Sequence, residues 1–175
     1  MIPSPRWPAL ALTLIMAAAP AAARDFAAYP IVTPRIVSGL EVGSIFFQPI
    51  DLEGGLMRAA AQSDIHLEVD IHATAADPDG YAEGDWRPFL TVNYRLTKLA
   101  DGQSQGGILA PLVAYGSASI GKPHYGDNLK MMGPGRYHLD VTVAPPGGQS
   151  GLGGFAPFSF GADFIYAGVG KKGAY

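Results

Sequence analysis

Cysteine is absent from this 175-residue chain. Without thiols the protein has no disulfide, no cysteine nucleophile and no Cys-ligated zinc or iron–sulfur site, so any bound metal must be held by His, carboxylate or Met. Charge is also sparse, because 12 Lys and Arg stand against 15 Asp and Glu and charged residues make up only 15% of the chain. A net charge of −3 offers no basic surface to a phosphate backbone. We therefore expect no nucleic acid partner.

Long apolar runs are nearly absent as well. The exception is residues 10–19, which follow Arg6 and precede the small residues 21–23. This run is about half of the roughly 20 residues that a membrane-spanning helix requires. The pattern is typical of a secretory signal peptide that is cleaved after Ala23. We expect residues 1–23 to be a signal peptide and residues 24–175 to form one domain in a bacterial periplasm.

Glycine and proline are abundant, with 23 Gly and 15 Pro, and they separate short apolar stretches that lack helical periodicity. This pattern predicts an all-β protein, a single antiparallel β-sandwich domain. Residues 24–34 are expected to be an irregular lead-in, and residues 145–154 a flexible loop. The predicted strands are residues 44–49, 64–73, 88–98, 107–113, 135–143 and 157–168.

The most informative stretch is residues 64–72, where polar and apolar side chains alternate. In a strand, the apolar set would enter the core. The polar set would line the opposite face, where adjacent members could converge on one ion. The alternative, an ordinary solvated strand face, stays open at this point. The apolar set is Ile65, Leu67, Val69 and Ile71, and the polar set is His66, Glu68, Asp70 and His72.

Several other features carry weaker signals. His124 lies between Pro123 and Gly126, which predicts a loop or a strand edge with an exposed imidazole. Met131 and Met132 are soft donors for copper, but such pairs more often fill a core. His138 is expected to point outward from a strand.

Two further motifs are weak. Asp77, Asp79 and Glu83 could crowd a hard cation, yet Asp-Pro-Asp-Gly is far more typical of a turn. Ser150 lacks the context of a nucleophile elbow, and no phosphate-binding fingerprint occurs, so we do not expect an enzyme.

Ordered blocks along the chain resemble the periplasmic iron-transport proteins that accompany bacterial iron permeases. The blocks are residues 47–53, 64–72, 84–90, 123–126 and 130–133. The resemblance implies an immunoglobulin-like β-sandwich, a homodimer, and binding of iron and copper as part of an iron uptake system with an inner-membrane permease.

The resemblance also implies a site. It assigns His66 and Glu68 on the strand, and His124 in the Pro-His-Tyr-Gly segment, as metal ligands. The family's copper site further uses a Met where this chain has Leu112, followed by extra residues 117–121, and a His from a loop that here contains none after Pro146.

Two functions remain open from the sequence. The first is a metal-binding accessory protein that captures iron, with copper as a second candidate, and passes it to a permease. With His66, Glu68 and His124 as an N,N,O set, and Asp127 as a candidate further ligand, such a site would suit a borderline or harder ion better than Cu(I). The second is a non-catalytic, dimeric interaction module whose metal site is degenerate.

Overall fold

The computed structural model describes residues 27–51, 57–112, 122–146 and 154–169. These ranges contain nine strands, one short 3₁₀ turn at Ala60–Gln62 and no α-helix. Within them, no helix has the length and hydropathy needed to cross a membrane. The strands are β1 (Tyr29–Val37), β2 (Leu40–Phe47), β3 (Ile65–Ala73), β4 (Thr91–Lys98), β5 (Ser104–Ile108), β6 (Ala110–Leu112), β7 (His124–Leu129), β8 (Gly135–Ala144) and β9 (Phe158–Tyr166).

The strands form two sheets. Sheet 1 has five strands in the order β1-β2-β3-β7-β6, and sheet 2 has four in the order β5-β4-β8-β9. Every pair of neighbouring strands is antiparallel. The predicted all-β antiparallel sandwich is therefore confirmed.

The core lies between the sheets and follows the period-two patterns of the strands. On β3, the four predicted inward residues are at most 2% exposed, and Leu139, Val141 and Val143 on β8 are completely buried. Since side chains alternate along a strand, the polar set of β3 lies on the outer face of sheet 1. The core thus fixes which way the candidate ligands point.

Two strand predictions are wrong. Residues 24–34 were expected to be an irregular lead-in, but β1 begins at Tyr29. It is an edge strand whose register shifts around Pro30 and Pro34, and edge strands accept proline because one side of the backbone needs no ladder bonds. The predicted strand at residues 107–113 is in fact the end of β5 and all of β6, which lie in different sheets.

The expectation for His124 is also wrong. It begins β7, which pairs with both β3 and β6 inside sheet 1. His124 is only 2% exposed. The flanking Pro123 and Gly126 suggested a loop, but Pro123 precedes the strand, and Gly126 lies where a neighbouring ring approaches the backbone too closely for a side chain.

The turn after β3 holds a buried ion-pair cluster. Asp77 and Asp79 both bind the Arg87 guanidinium, which is buried, and we call these three residues the Arg87 cluster. The guanidinium carbon lies 4.3 Å from the centre of the Tyr81 ring. Burial alone would raise the pKa of Asp79, but the backbone N–H of Gly154 and the guanidinium together hold it below its ordinary value. The predicted turn is present, and both of its carboxylates are ion-paired with Arg87.

Candidate metal centre

Three side chains converge on the outer face of sheet 1. His66 and Glu68 come from β3, and His124 comes from the start of the neighbouring strand β7. The Nε2 atoms of His66 and His124 are 3.4 Å apart, and His124 Nε2 lies 3.7 Å from a carboxylate oxygen of Glu68. All three ligand atoms lie within 4.8 Å of one another. The sequence pattern placed two of them on one strand, and the sheet brings in the third.

The centre is buried rather than solvated. His66 is fully buried, His124 is 2% exposed, and the Glu68 side chain is 15% exposed. The alternative interpretation of an ordinary solvated strand face is therefore wrong for these residues. Burial lowers the pKa of His66 to about 4, and it also lowers the pKa of His124 below its ordinary value. Both imidazoles are accordingly neutral at pH 7, the form that binds a metal.

Asn128 determines which nitrogen of His66 carries the proton. Its Nδ2 lies 2.6 Å from the carbonyl oxygen of Ile50 and 2.7 Å from that of Arg58. Carbonyl oxygens only accept, so this nitrogen must face them and Oδ1 must face His66. Because Oδ1 is 3.0 Å from His66 Nδ1, the ring donates from Nδ1. The lone pair of His66 is therefore on Nε2.

His124 has the same arrangement by a local contact. Its Nδ1 lies 3.0 Å from the carbonyl oxygen of Lys122, two residues earlier, and must donate to it. Its lone pair is also on Nε2, so two lone pairs face each other across 3.4 Å with no hydrogen between them. Two acceptors at that distance repel unless a cation lies beside both.

Glu68 supplies the oxygen donor. Burial is the main cause that raises its pKa, to about 8, and the neighbouring Asp70 raises it further through its charge and a hydrogen bond. Burial likewise raises the pKa of Asp70. The two carboxyl groups therefore favour a shared proton in the metal-free protein. A cation at the centre would replace that proton.

Gly126 makes room for the His66 ring. It pairs with Glu68 across the sheet. A Cβ atom at this position would lie 2.7 Å from His66 Nε2 and 2.9 Å from the carbonyl oxygen of Leu67. Those distances are too short for any side chain, so Nε2 of His66 occupies the space that glycine leaves free.

Leu112 lies beside the centre. It is the cross-strand partner of His124 and is 2% exposed. Directly opposed residues of an antiparallel pair point to the same face, with Cβ atoms about 4.5–5.5 Å apart. Leu112, where the resemblance implies a Met, therefore faces the same side as His124, and it offers no donor atom.

The other candidates do not join this group. Asp127 pairs with Leu67 and so lies on the opposite face of the sheet. His72 lies farther along β3, where its backbone forms an isolated β-bridge with Trp86. Met131 is part of the core, as the more conservative interpretation predicted.

His138 points outward from β8, as expected. Its Nδ1 lies 2.6 Å from Asp163, and its Nε2 lies 3.2 Å from Asp140. Its two nitrogens thus face two different carboxylates. The loop after Pro146, which carries a His in the family, falls at residues 147–153, outside the described ranges.

Sequence reasoning missed the residues that hold the candidate ligands in place, above all Asn128. A signal was present, because positions 124, 126 and 128 alternate along one strand exactly as positions 66 and 68 do. Had residues 124–129 been predicted as a strand, Gly126 and Asn128 would have been placed on the face of His124.

The fold and the site together define a β-sandwich protein with a buried histidine–carboxylate centre of the kind that holds metal ions. Two imidazole nitrogens and one carboxylate oxygen suit iron and other borderline divalent ions. The chain belongs to the Fe2+ transport protein family, whose sequence profile matches residues 25–160.

Two related proteins align with most of this chain. A UPF0423 protein of Brucella abortus is 43% identical over 160 residues, which cover 83% of this chain and 85% of that protein. The 34 kDa membrane antigen of Treponema pallidum is 37% identical over 140 residues, which cover 75% of this chain and 66% of the antigen.

Solved structures share the fold. The copper-reconstituted P19 protein of Campylobacter jejuni superposes with a TM-score of 0.73 at 35% identity, covering 83% of this chain and 99% of that one. FetP of uropathogenic Escherichia coli strain F11, expressed in the periplasm of E. coli, superposes with a TM-score of 0.70 at 36% identity, covering 82% and 98%.

Proposed function

We propose that this protein binds iron, with copper as a second cargo, at His66, Glu68 and His124, and that it serves a periplasmic iron uptake system. One observation carries the proposal: two buried, neutral imidazoles turn their Nε2 lone pairs toward each other at 3.4 Å, beside a carboxylate. Membership of the Fe2+ transport protein family supports iron as the cargo, and the copper-reconstituted relative supports copper.

The donor set favours ions of intermediate hardness. Imidazole suits iron, copper and zinc, and a carboxylate suits harder ions such as Fe(II) better than Cu(I). Leu112 adds no sulfur donor beside His124, so this chain lacks the thioether that would favour Cu(I) at that position. We therefore place Fe(II) first among the candidate cargoes.

The cellular setting is part of the proposal. A signal peptide at residues 1–23 would deliver residues 24–175 to the periplasm, where the protein would act as a homodimer and pass its metal to an inner-membrane permease. Expression of the relative FetP in a periplasm supports this location. Intact-mass measurement of periplasmic extract should find a mature N-terminus at Arg24, and retention of residues 1–23 would contradict it.

The site is tested by removing one ligand. His66→Ala should reduce Fe(II) and Cu(II) affinity in anaerobic calorimetry by more than the 10–100-fold that groups supporting a ligand typically contribute. The fold should survive, because the outward side chain leaves the inward apolar set of β3 unchanged. His138→Ala is the matched control, since it removes an outward strand imidazole from sheet 2, and it should leave affinity unchanged.

Two results would contradict the proposal. If His66→Ala and His138→Ala bind metal equally well, the converging residues are not the binding site. If the purified wild type retains and binds no metal, the protein acts instead as the interaction module with a degenerate site.

A further inference from the structure

We infer that Asn128 is a positioning residue that keeps the metal centre open, by holding His66 in the tautomer that cannot hydrogen-bond to His124. The inference deepens the proposed function and rests on it for its biological meaning. The tautomer itself is a property of the metal-free protein, so it can be measured independently of any metal.

The orientation of the carboxamide follows from its surroundings. Its Nδ2 donates to the carbonyl oxygens of Ile50 and Arg58, while its Oδ1 faces the Ile50 N–H at 3.3 Å and His66 Nδ1 at 3.0 Å. Asn128 is 1% exposed. If the amide were flipped, nitrogen would face a backbone N–H and oxygen would face two carbonyl oxygens. All four polar contacts therefore favour one orientation.

This orientation fixes the His66 proton on Nδ1. A neutral imidazole has one donor and one acceptor nitrogen. If the proton moved to Nε2, the Nδ1 lone pair would face the Oδ1 lone pairs of Asn128 at 3.0 Å, in a buried place. The Nε2 proton would at the same time point at His124 Nε2, which accepts because its own Nδ1 donates to Lys122.

The alternative tautomer would close the centre. With the proton on His66 Nε2, the two rings would hydrogen-bond directly, and the lone pair needed by a metal ion would be used. Asn128 prevents this closure by requiring the proton at Nδ1. A tautomer that is already fixed lowers the free-energy cost of metal binding. Residues that hydrogen-bond to a metal-binding histidine typically contribute about 10–100-fold to metal affinity.

Two substitutions separate this role from general support of the fold. Asn128→Asp keeps an oxygen facing His66 Nδ1 but loses both donations to Ile50 and Arg58. Asn128→Leu has a similar volume and loses every polar contact. Asn93→Leu is the matched control, because Asn93 lies on the outer face of sheet 2, where β4 pairs with β5 and β8.

Nitrogen-15 NMR of the metal-free protein at pH 8 reports the tautomer directly. In the wild type and in Asn93→Leu, His66 should show a protonated Nδ1 and an unprotonated Nε2. Asn128→Asp should keep a protonated Nδ1. Asn128→Leu should move His66 toward the Nε2–H form, and its Fe(II) affinity should fall about 10–100-fold.

Several results would overturn the inference. The inference is wrong if His66 of the wild type is unprotonated at Nδ1, or if Asn128→Asp loses the Nδ1 proton. It is also wrong if Asn128→Leu keeps the tautomer or the metal affinity of the wild type. If Asn128→Leu does not fold, the wild-type and Asn128→Asp spectra still decide the question. Correct tautomers in a protein that binds no metal would support the inference and contradict the proposed function instead.

Discussion

The candidate metal centre and the Arg87 cluster both contain buried ionisable side chains, but only the Arg87 cluster contains its own permanent cation. Asp77 and Asp79 are both ion-paired with the guanidinium of Arg87, a group that carries a permanent positive charge. In the metal centre, the two imidazoles are neutral, and Glu68 holds a proton up to about pH 8. The first cluster therefore includes a cation of the chain itself, whereas under the proposed function the second would take its cation from outside.

The difference predicts which cluster supports the metal-free fold. A buried ion pair is costly to break because the remaining charge stays buried. In the candidate metal centre, the imidazoles are neutral and Glu68 is protonated. Replacing one of these side chains with a neutral residue should therefore cost little of the free energy of unfolding. Substitutions in the two regions should thus have effects of different size and even of opposite sign.

The largest effect is expected from Arg87→Met. It leaves two carboxylates without their cation, and Asp77 is almost fully buried. The free energy of unfolding should fall by about 3–5 kcal/mol, measured by urea denaturation. Arg136→Met is the control, because its pair with Asp163 is exposed and should change stability by less than about 1 kcal/mol. If Arg87→Met loses as little stability as the control should, the Arg87 guanidinium does not stabilise the fold.

Gly126→Ala should have the next largest effect. The new methyl group would lie 2.7 Å from His66 Nε2, so it should cost about 1–3 kcal/mol of stability and should also abolish metal binding. Gly43→Ala on β2 is the control, because its nearest neighbour would be an ordinary 3.4 Å away. Urea denaturation and calorimetry measure the two effects, and normal metal affinity in Gly126→Ala would contradict the proposed position of the ion.

Glu68→Gln should stabilise the metal-free protein at high pH. The pKa of Glu68 is raised from 4.5 to about 8 on folding, so the folded chain holds a proton that the unfolded chain loses above pH 4.5. Stability therefore falls as the pH rises from about 4.5 to 8. Since one pKa unit corresponds to about 1.4 kcal/mol, the variant should gain at least about 1 kcal/mol at pH 8.

Urea denaturation at pH 5 and pH 8 measures this gain. Glu41→Gln is the control, because it removes an exposed carboxylate from the neighbouring strand β2. If wild type and Glu68→Gln lose the same stability between the two pH values, Glu68 does not hold the proton.

Metal binding should release that proton. Below pH 8 the ion competes with the proton on Glu68, so affinity should rise with pH by up to about tenfold per unit and level off above pH 8. Calorimetry in buffers of different ionisation enthalpy counts the protons released. A wild-type protein that releases none at pH 7 would show that Glu68 is already ionised or is not a ligand.

Leu112→Met should have the smallest effect on stability, under about 1.5 kcal/mol, because the two side chains differ little in volume. Its new sulfur faces the side of His124, so Cu(I) affinity should rise while Fe(II) affinity stays the same. Leu109→Met is the control in the core and should change neither. An equal response of both metals, or none, would show that Leu112 only packs.

The sequence predicted the parts of this protein that depend on local pattern. The alternation on β3 was sufficient to place His66 and Glu68 on one face, because period two is a property of the strand itself. The resemblance to iron-transport proteins supplied His124 as their partner. The turn at Asp77 and Asp79 was also visible from its residue types.

The missed features depend on contacts between distant segments. Arg87 binds the carboxylates of a turn eight to ten residues earlier, and Asn128 binds Ile50 across 78 positions. The burial of His124 depends on pairing with both β3 and β6. No local pattern contains this information. The strand β1 was missed for a different reason, because it contains Pro30 and Pro34, which only an edge strand tolerates.

The pairing of β3 with β7 also has a consequence for when metal can be captured. His66 and His124 are 58 positions apart in the chain, and their approach requires closure of a long loop between two strands of one sheet. Such non-local pairing forms late and slowly compared with local turns. Of the three proposed ligands, only His66 and Glu68 are near neighbours in an unfolded chain, so the complete set comes together only on folding. Under the proposed function, the complete site would therefore become available to an ion only after β3 and β7 have paired.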